Sequence, residues 1–320
     1  MIVGVPTSDE LHSTAVGWLN LAWEIAIRDL SNSQDIEEYQ STMEVEDQTK
    51  VEAPAAKIWS YELNNAISLL QQSLEIELKA RIAEVSPFLL IAGDPQSWPK
   101  PDKHGQVDFS DFRTLDSVQL CRTCNVVSDR PLPPQFVTLY GNVRKARNKI
   151  AHLSAANVRA SSGEIVRMIL TAHGLLYGKG TWLEFRRRHL TIEAQPSEVY
   201  PDYEDSTNDT LNHEFSSLLS ELQPSELREF FGFDSRKSGL TCFNCLDQRT
   251  QWCDVHWDFA QKQKDGAVKC VVCQHLYASA EYKELADEAA RELAESKRLY
   301  GAETLADAAS ATRLRGRQDD

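Results

Sequence analysis

Two features of this chain have the residue types and spacing to do chemistry: paired cysteines, and a run of cations followed by a histidine. Arg144, Lys145, Arg147 and Lys149 fall within six residues with no acidic residue between them, and His152 follows. The whole chain of 320 residues carries a formal net charge of −14, so this run is a local exception. A confined basic surface can still attract phosphate in an acidic protein, because binding follows the local field.

The spacing of the basic run predicts a polar ridge on a helix. Arg144, Asn148 and His152 lie four residues apart on one side, with Arg147 beside them. The opposite side carries apolar residues that can reach a core, namely Val143, Ala146 and Ile150. Histidine can transfer protons near neutral pH, and arginine can hold a phosphate. This set suits RNA cleavage by the RNA's own 2′-hydroxyl. A two-metal nuclease would instead need a cluster of carboxylates that suits magnesium, and we find no such cluster in the sequence.

Four of the seven cysteines form two Cys-x-x-Cys pairs near the C-terminus, separated by 24 residues: Cys242, Cys245, Cys270 and Cys273. Two such turns can aim four thiolates at one Zn²⁺, as in a zinc ribbon. Four thiolates leave no open coordination position, so the sequence predicts a structural metal. Reduced cysteines in a small core are the alternative. Cys253 and His256 lie between the pairs and could replace a ligand, bind separately or belong to the core of the module.

A third pair, Cys121 and Cys124, has the same two-residue gap but falls on a predicted helix without a second pair. We interpret these two residues as buried apolar cysteines. A second basic stretch, Arg186–His189, follows Trp182. It could contact RNA, since arginines beside an aromatic ring suit phosphate and base stacking. It could equally be the solvated end of a helix.

The elements that must position these residues are mostly helices. Apolar residues at helical spacing predict helices over 13–30, from near Pro54 to Pro87, after Thr114, across the basic run and over 163–190, the last with a bend at its glycines as an alternative. The acidic stretch 35–53 shows little periodicity and is predicted to be a solvated loop. No alternation is long enough to predict strands. The fold class expected is mainly α, an antiparallel helical bundle followed by a small zinc ribbon and a C-terminal amphipathic helix.

Composition divides the chain into four predicted segments. These are a helical bundle over 1–195, a linker with a short helix over 196–234, a zinc ribbon over 235–280, and an amphipathic helix with a tail over 281–320. A hydrophobic fraction of 42% is ordinary for a soluble protein. No apolar run is long enough to span a bilayer and no secretion signal is visible, so we expect a cytoplasmic protein that does not bind membranes.

The stretch "RNKIAH" resembles the Arg-x4-6-His motif of HEPN domains, in the form where Asn follows the Arg. The preceding "SLEIELKARI" resembles the long helix of those bundles, with Glu75 and Lys79 at the expected positions. The resemblance covers about residues 10 to 190 and includes the amphipathic helix that follows the motif.

The resemblance implies a metal-independent endoribonuclease, often a toxin or an antiviral abortive-infection effector. It implies a homodimer in which two motif helices form one composite site. Arg147 would bind and polarise the scissile phosphate, Asn148 would orient neighbouring groups, and His152 would transfer a proton. Arg144, Lys145 and Lys149 would guide RNA electrostatically, although the motif does not require them.

Two other readings stay open. The basic helix could belong to a non-catalytic module that binds RNA or a protein, with His152 capping or packing. The chain could also be a regulatory protein that neutralises or senses a toxin, and it would then form a stable complex with a protein partner. Binding without turnover, weakened by salt, would distinguish the first of these from a ribonuclease.

Overall fold

The computed structural model describes residues 1–41, 45–152, 160–193, 207–247 and 258–300. Within them the chain is mainly helical with a cluster of four cysteines near the C-terminus, as the sequence predicted, and it also contains two small sheets. The chain divides into two compact units, Met1–Trp182 and Leu183–Asp320. The four predicted segments remain a prediction, since the grouping into units does not test their boundaries.

The first unit is built around one long helix. Helix α2 (Val45–Val85) contacts α1 (Ser8–Ser41), α3 (Ser117–Val127), α4 (Pro134–His152) and α5 (Ser162–Leu176). Cross-links from Ser8 to Ala80 and from Arg28 to Glu62 show that α1 and α2 run antiparallel. The apolar residues whose spacing predicted α2 form a stripe along it: Ile67, Leu70, Leu74, Leu78 and Ile82 are buried, whereas Val85 is exposed.

The acidic stretch 35–53 is not the predicted loop. Its described residues belong to α1, which continues to Ser41, and to α2, which begins at Val45 and contains Pro54. Glu, Gln, Lys, Met and Ala have high helix propensity, so a segment without an apolar face can still extend a packed helix. The end of α2 before Pro87 is as predicted, and a 3₁₀ turn over Pro87–Leu90 follows.

Two further predictions about the first unit are corrected. The helix predicted over 163–190 is instead two helices, α5 and α6 (Trp182–Glu193), separated by Gly178 and Gly180 with φ of 114° and 77°. Those values are easy for glycine and end a right-handed helix. A parallel pair of two-residue strands, β1 (Ile2–Val3) and β2 (Val107–Asp108), is present where no strand was predicted. Strands of two residues are too short to show the alternation of apolar and polar residues by which strands are predicted.

The second unit contains most of α6, then α7 (Thr207–Glu221), α8 (Pro224–Phe231) and the cysteine module. Phe215 of α7 meets the rings of Phe231, Phe233 and Phe259 edge-on at centroid distances of 5.1 to 5.3 Å. These aromatic contacts form the core between α7, α8 and the module.

The described residues of the cysteine module form one short helix and one antiparallel sheet. Helix α9 (Phe243–Asp247) precedes β3 (Ala260–Lys262), β4 (Val268–Cys270) and β5 (Leu276–Tyr277), which pair in that order. The predicted amphipathic helix follows as α10 (Ser279–Tyr300). Its apolar side, predicted at Tyr282, Leu285, Ala289 and Leu293, is half-buried.

Candidate functional site

The first cysteine pair is held on a tight turn that leads into α9. Cys242 precedes the helix and Cys245 lies within it, and the Leu246 amide donates to the Cys242 carbonyl oxygen at 3.0 Å. A backbone bridge between Leu240 and Ala260 ties the approach to this turn to strand β3. A Cβ on Gly239 would overlap the carbonyl oxygen of Asp258, so the close approach requires glycine.

The second pair lies at the turn between β4 and β5. Cys270 ends β4, and its amide donates to the His275 carbonyl oxygen at 3.0 Å, which closes the turn around Cys273. Gln274 follows with a φ of 63°, in the left-handed region that side chains other than glycine rarely adopt. The backbone here is bent sharply enough to turn both thiols of the pair to one side.

The four thiols meet at one point. All four Sγ atoms lie within 4.8 Å of one another, with Cys242 Sγ 3.4 Å from Cys273 Sγ and Cys245 Sγ 3.9 Å from Cys270 Sγ. A disulfide bond would need two sulfur atoms about 2.05 Å apart. The edge of a tetrahedron with 2.3 Å metal–sulfur bonds is about 3.8 Å. The cluster therefore holds no disulfide and could hold a metal ion, as the spacing of the two pairs predicted.

Contacts within the cluster shift the pKa values of its thiols in opposite directions. Hydrogen bonds with the other three cysteines lower the pKa of Cys273, and hydrogen bonding with Cys245 lowers the pKa of Cys242. Hydrogen bonding with Cys242 raises the pKa of both Cys245 and Cys270. A metal ion takes its ligands as thiolates, so binding here would release protons and would strengthen as the pH rises.

Tyr277 is a functional candidate that the sequence reasoning missed. Its side chain is buried, its oxygen lies 3.4 Å from Cys242 Sγ, and the Asn244 amide donates to that oxygen at 2.7 Å. Burial raises the pKa of this phenol above its usual value. No spacing rule marks a tyrosine four residues after a cysteine pair, so the contact emerges only from the fold.

Cys121 and Cys124 are buried cysteines on α3, as predicted. Burial raises the pKa of Cys121 to about 11 and also raises the pKa of Cys124, so neither is a reactive thiolate at neutral pH. Cys253 and His256 lie outside the described residues, and their part in the module stays open.

The basic run lies on one uninterrupted helix, α4, as predicted. Arg144, Arg147 and Asn148 are half-buried, while Lys145 and Lys149 are exposed. Arg147 Nη1 donates to Asn148 Oδ1 at 3.3 Å, which couples these two motif residues directly. Among the described residues, no carboxylate lies within ion-pair distance of the four cations.

The apolar side of α4 is covered unevenly. Phe136, Tyr140 and Val143 are buried, whereas Ala146 and Ile150 are half-buried. His152 is the last residue of the helix, and its side chain lies outside the part of the chain that the structure describes. The structure thus brings Arg147 and Asn148 together and leaves their geometry relative to His152 as a prediction.

Both interpretations of Arg186 are wrong. Its guanidinium is 2% exposed and donates to Glu214 Oε1 from Nη2 at 2.9 Å and from Nε at 3.1 Å, so it neither meets RNA nor ends a solvated helix. Arg187 donates to the Val272 carbonyl oxygen at 3.0 Å within the cysteine module. Only Arg188, exposed and paired with Glu184, behaves as a solvated cation. Sequence composition cannot distinguish these three neighbours, because the helix turns each toward a different environment.

A second polar cluster, also missed from the sequence, joins α1, α2 and the end of α5. Glu77 is buried and accepts from Arg81 Nε at 3.1 Å, and His12 Nδ1 lies 2.8 Å from its other oxygen. Arg81 also donates to the Leu176 carbonyl oxygen. The hydrogen bond with Glu77 raises the pKa of His12, against the opposing effect of partial burial. Glu75 and Lys79, four residues apart on α2, form an ion pair at 3.0 Å.

Comparison of the chain with models of protein families, with curated proteins and with solved structures finds no match. The resemblance to HEPN domains is therefore carried by the quoted residues alone. Among the described residues, no helix is long and apolar enough to cross a membrane.

Proposed function

We propose that the first unit is a HEPN-like bundle that cleaves RNA without a catalytic metal ion, through Arg147, Asn148 and His152. The observation that carries this proposal is the coupling of Arg147 to Asn148 on one continuous helix that ends at His152. The arrangement of cations supports it as well. Arg144, Lys145 and Lys149 lie around the motif with no carboxylate within ion-pair distance among the described residues, so their charge is available to phosphate.

In the proposed reaction, the RNA 2′-hydroxyl attacks the adjacent phosphorus and the 5′-oxygen leaves. Arg147 holds the phosphate and stabilises the charge that develops on its oxygens. Asn148 fixes the guanidinium through the bond between their side chains. His152 transfers the proton that the 2′-hydroxyl loses to the departing 5′-oxygen, and the products are a 2′,3′-cyclic phosphate and a 5′-hydroxyl.

We propose that a second copy of the chain completes this site. Ala146 and Ile150 stay half-buried in one chain, and Ile150 follows Arg147 by three residues, so this apolar area borders the Arg147 side of the ridge. A partner helix packed there would lie next to that guanidinium. Two basic helices meeting there would concentrate positive charge in one cleft. A homodimer that depends on Ile150 is the expected state in solution.

For the second unit we propose a structural Zn²⁺ ion bound by Cys242, Cys245, Cys270 and Cys273. The distances between the sulfur atoms support a tetrahedral site with all four positions filled by thiolates. Such a site activates no water and takes no part in RNA cleavage. Its proposed role is to stabilise the unit or to dock a partner, including a regulatory protein.

The deciding experiment incubates purified zinc-loaded protein with RNA in a short assay containing EDTA. Wild type should produce fragments that end in 2′,3′-cyclic phosphate. Arg147→Ala and His152→Ala should each lower the rate by at least about 100-fold, because each removes a group that acts in the transition state. Arg113→Ala, an exposed arginine of the same unit outside α4, is the matched control and should cleave normally.

Two outcomes contradict the proposal in different ways. Equal cleavage by all variants would mean that another site, or a contaminating nuclease, cuts the RNA. Binding without cleavage by wild type, weakened by salt, would favour the non-catalytic module instead. Sequencing RNA ends in cells after brief induction tests the wider proposal of a cytoplasmic toxin or antiviral effector, because new ends should depend on Arg147 and His152.

A further inference from the structure

We propose that the Tyr277 hydroxyl is a positioning group for the metal site: it donates its hydrogen to the Cys242 thiolate and holds that ligand toward the other three. The inference rests on the zinc site proposed above and concerns how this chain orients one ligand of that site. It adds a residue that the two Cys-x-x-Cys pairs do not contain.

The direction of the hydrogen bond follows from the contacts of the oxygen. Tyr277 Oη lies 3.4 Å from Cys242 Sγ and accepts from the Asn244 amide at 2.7 Å. Since the amide can only donate, the hydroxyl hydrogen is left for the sulfur. A phenol carries its proton at neutral pH and a metal-bound thiolate carries none. With the metal present, Tyr277 must therefore be the donor.

Tyr277 also connects the two halves of the site. Its strand, β5, pairs with β4, which carries Cys270, and Tyr277 lies opposite Val268. Its hydroxyl contacts Cys242 and the Asn244 amide, which belong to the first cysteine pair. One side chain thus fixes the first pair relative to the sheet that carries the second pair.

Burial makes this contact hard to replace with water. Tyr277 is 2% exposed, and its ring packs against Phe243 and Tyr282 at centroid distances of 6.5 and 5.5 Å. Removing only the hydroxyl would leave the ring packing intact, while Cys242 Sγ and the Asn244 amide would each lose a partner. Groups of this kind around a metal site typically change metal affinity by about 10- to 100-fold.

The test compares Tyr277→Phe with Tyr282→Phe. Tyr282 is the matched control because its hydroxyl donates to the Thr241 carbonyl oxygen at 3.0 Å in the same module, and among the described residues no hydrogen bond joins it to a thiol. Each protein is loaded with Zn²⁺, and the rate of metal release to a chromogenic chelator is measured. The same proteins loaded with Co²⁺ give the energy of the thiolate-to-metal charge-transfer band.

We expect Tyr277→Phe to release zinc at least about 10-fold faster than wild type, with Tyr282→Phe close to wild type. The Co²⁺ band should move to longer wavelength in Tyr277→Phe alone, because a thiolate without its hydrogen bond gives up charge more easily. Equal behaviour of the two variants would overturn the role of Tyr277 while leaving the zinc site standing. Failure of wild type to bind one metal ion per chain would overturn the zinc site itself.

A second measurement applies if Tyr277→Phe does not fold with zinc. Tyrosines in wild type and in Tyr282→Phe are replaced by 3-fluorotyrosine, whose hydroxyl is a stronger donor. The Co²⁺ band should then move to shorter wavelength in both proteins. An unchanged band would show that no phenol donates to a ligand and would overturn the proposal.

Discussion

The two units of this protein are stabilised in different ways. In the first unit, a long helix buries a continuous apolar stripe against its neighbours, and polar clusters such as Glu77 with Arg81 lie beside that core. In the second unit, a buried ion pair and four clustered thiols hold together short elements around one aromatic cluster. Apolar burial tolerates the loss of a single contact better than a polar network does, because an unpaired buried polar group costs free energy by itself.

Metal removal should have the largest effect on stability, and we expect that effect in the second unit alone. Structural zinc contributes an apparent free energy of about 10 to 16 kcal/mol in small zinc modules. We expect excess chelator to abolish the thermal transition of the second unit and leave that of the first unchanged in calorimetry. Cys245→Ser should have the same effect as the chelator.

The matched control for the cysteine change is Cys124→Ala on α3, which should lower only the transition of the first unit. A chelator that lowers both transitions together, or neither, would contradict the comparison between the units.

The second-largest loss of stability is expected from removal of the buried Arg186 guanidinium. Arg186→Ala leaves Glu214 buried without its bidentate partner, and breaking such pairs costs about 3 to 5 kcal/mol. Arg188→Ala removes an exposed arginine from a pair with Glu184 on the same helix and should cost at most about 1 kcal/mol. Denaturant unfolding of both variants measures the difference. Similar losses in the two would mean that the buried pair does not stabilise the second unit.

The smallest loss of stability is expected from replacement of His12, and the size of that loss should depend on pH. The hydrogen bond with Glu77 raises the pKa of His12 in the folded chain. The pair therefore adds its full share to the free energy of unfolding below the unfolded pKa of about 6.5. That share is lost as the pH rises through the folded pKa. Burial lowers the pKa of His173 to about 4, so His173 acts in the opposite direction as the pH falls. Because His12 is about half exposed, we expect its pair with Glu77 to add less than about 1 kcal/mol to the free energy of unfolding.

The difference in melting temperature between wild type and His12→Gln isolates this contribution, since His173 is common to both. The difference should be larger at pH 5.5 than at pH 8.5. His104→Gln, at an exposed position of the same unit, is the control. A difference that grows with pH would show that the pair with Glu77 does not stabilise the first unit.

The sequence predicted what depends on periodicity and on regular spacing. Helical spacing located α4 and α10, and two Cys-x-x-Cys pairs located the cysteine cluster. The sequence-based predictions failed where the surroundings of a residue in the folded chain determine its structure or its contacts. The acidic end of α1 has no apolar pattern, yet helix propensity and continuity keep it helical. Arg186 and Arg188 are two residues apart and have opposite surroundings, and Tyr277 approaches Cys242 only after the sheet has formed.

Gly239 has a consequence for how this sequence can diverge. The residue has no side chain, and any side chain there would collide with the carbonyl oxygen of Asp258 and push the first cysteine pair away from β3. In a library of single substitutions, we expect position 239 to tolerate change as poorly as the four cysteines, while its neighbours Ser238 and Lys237, both exposed, accept most residues. A position without chemistry of its own would then carry the same mutational signature as a metal ligand.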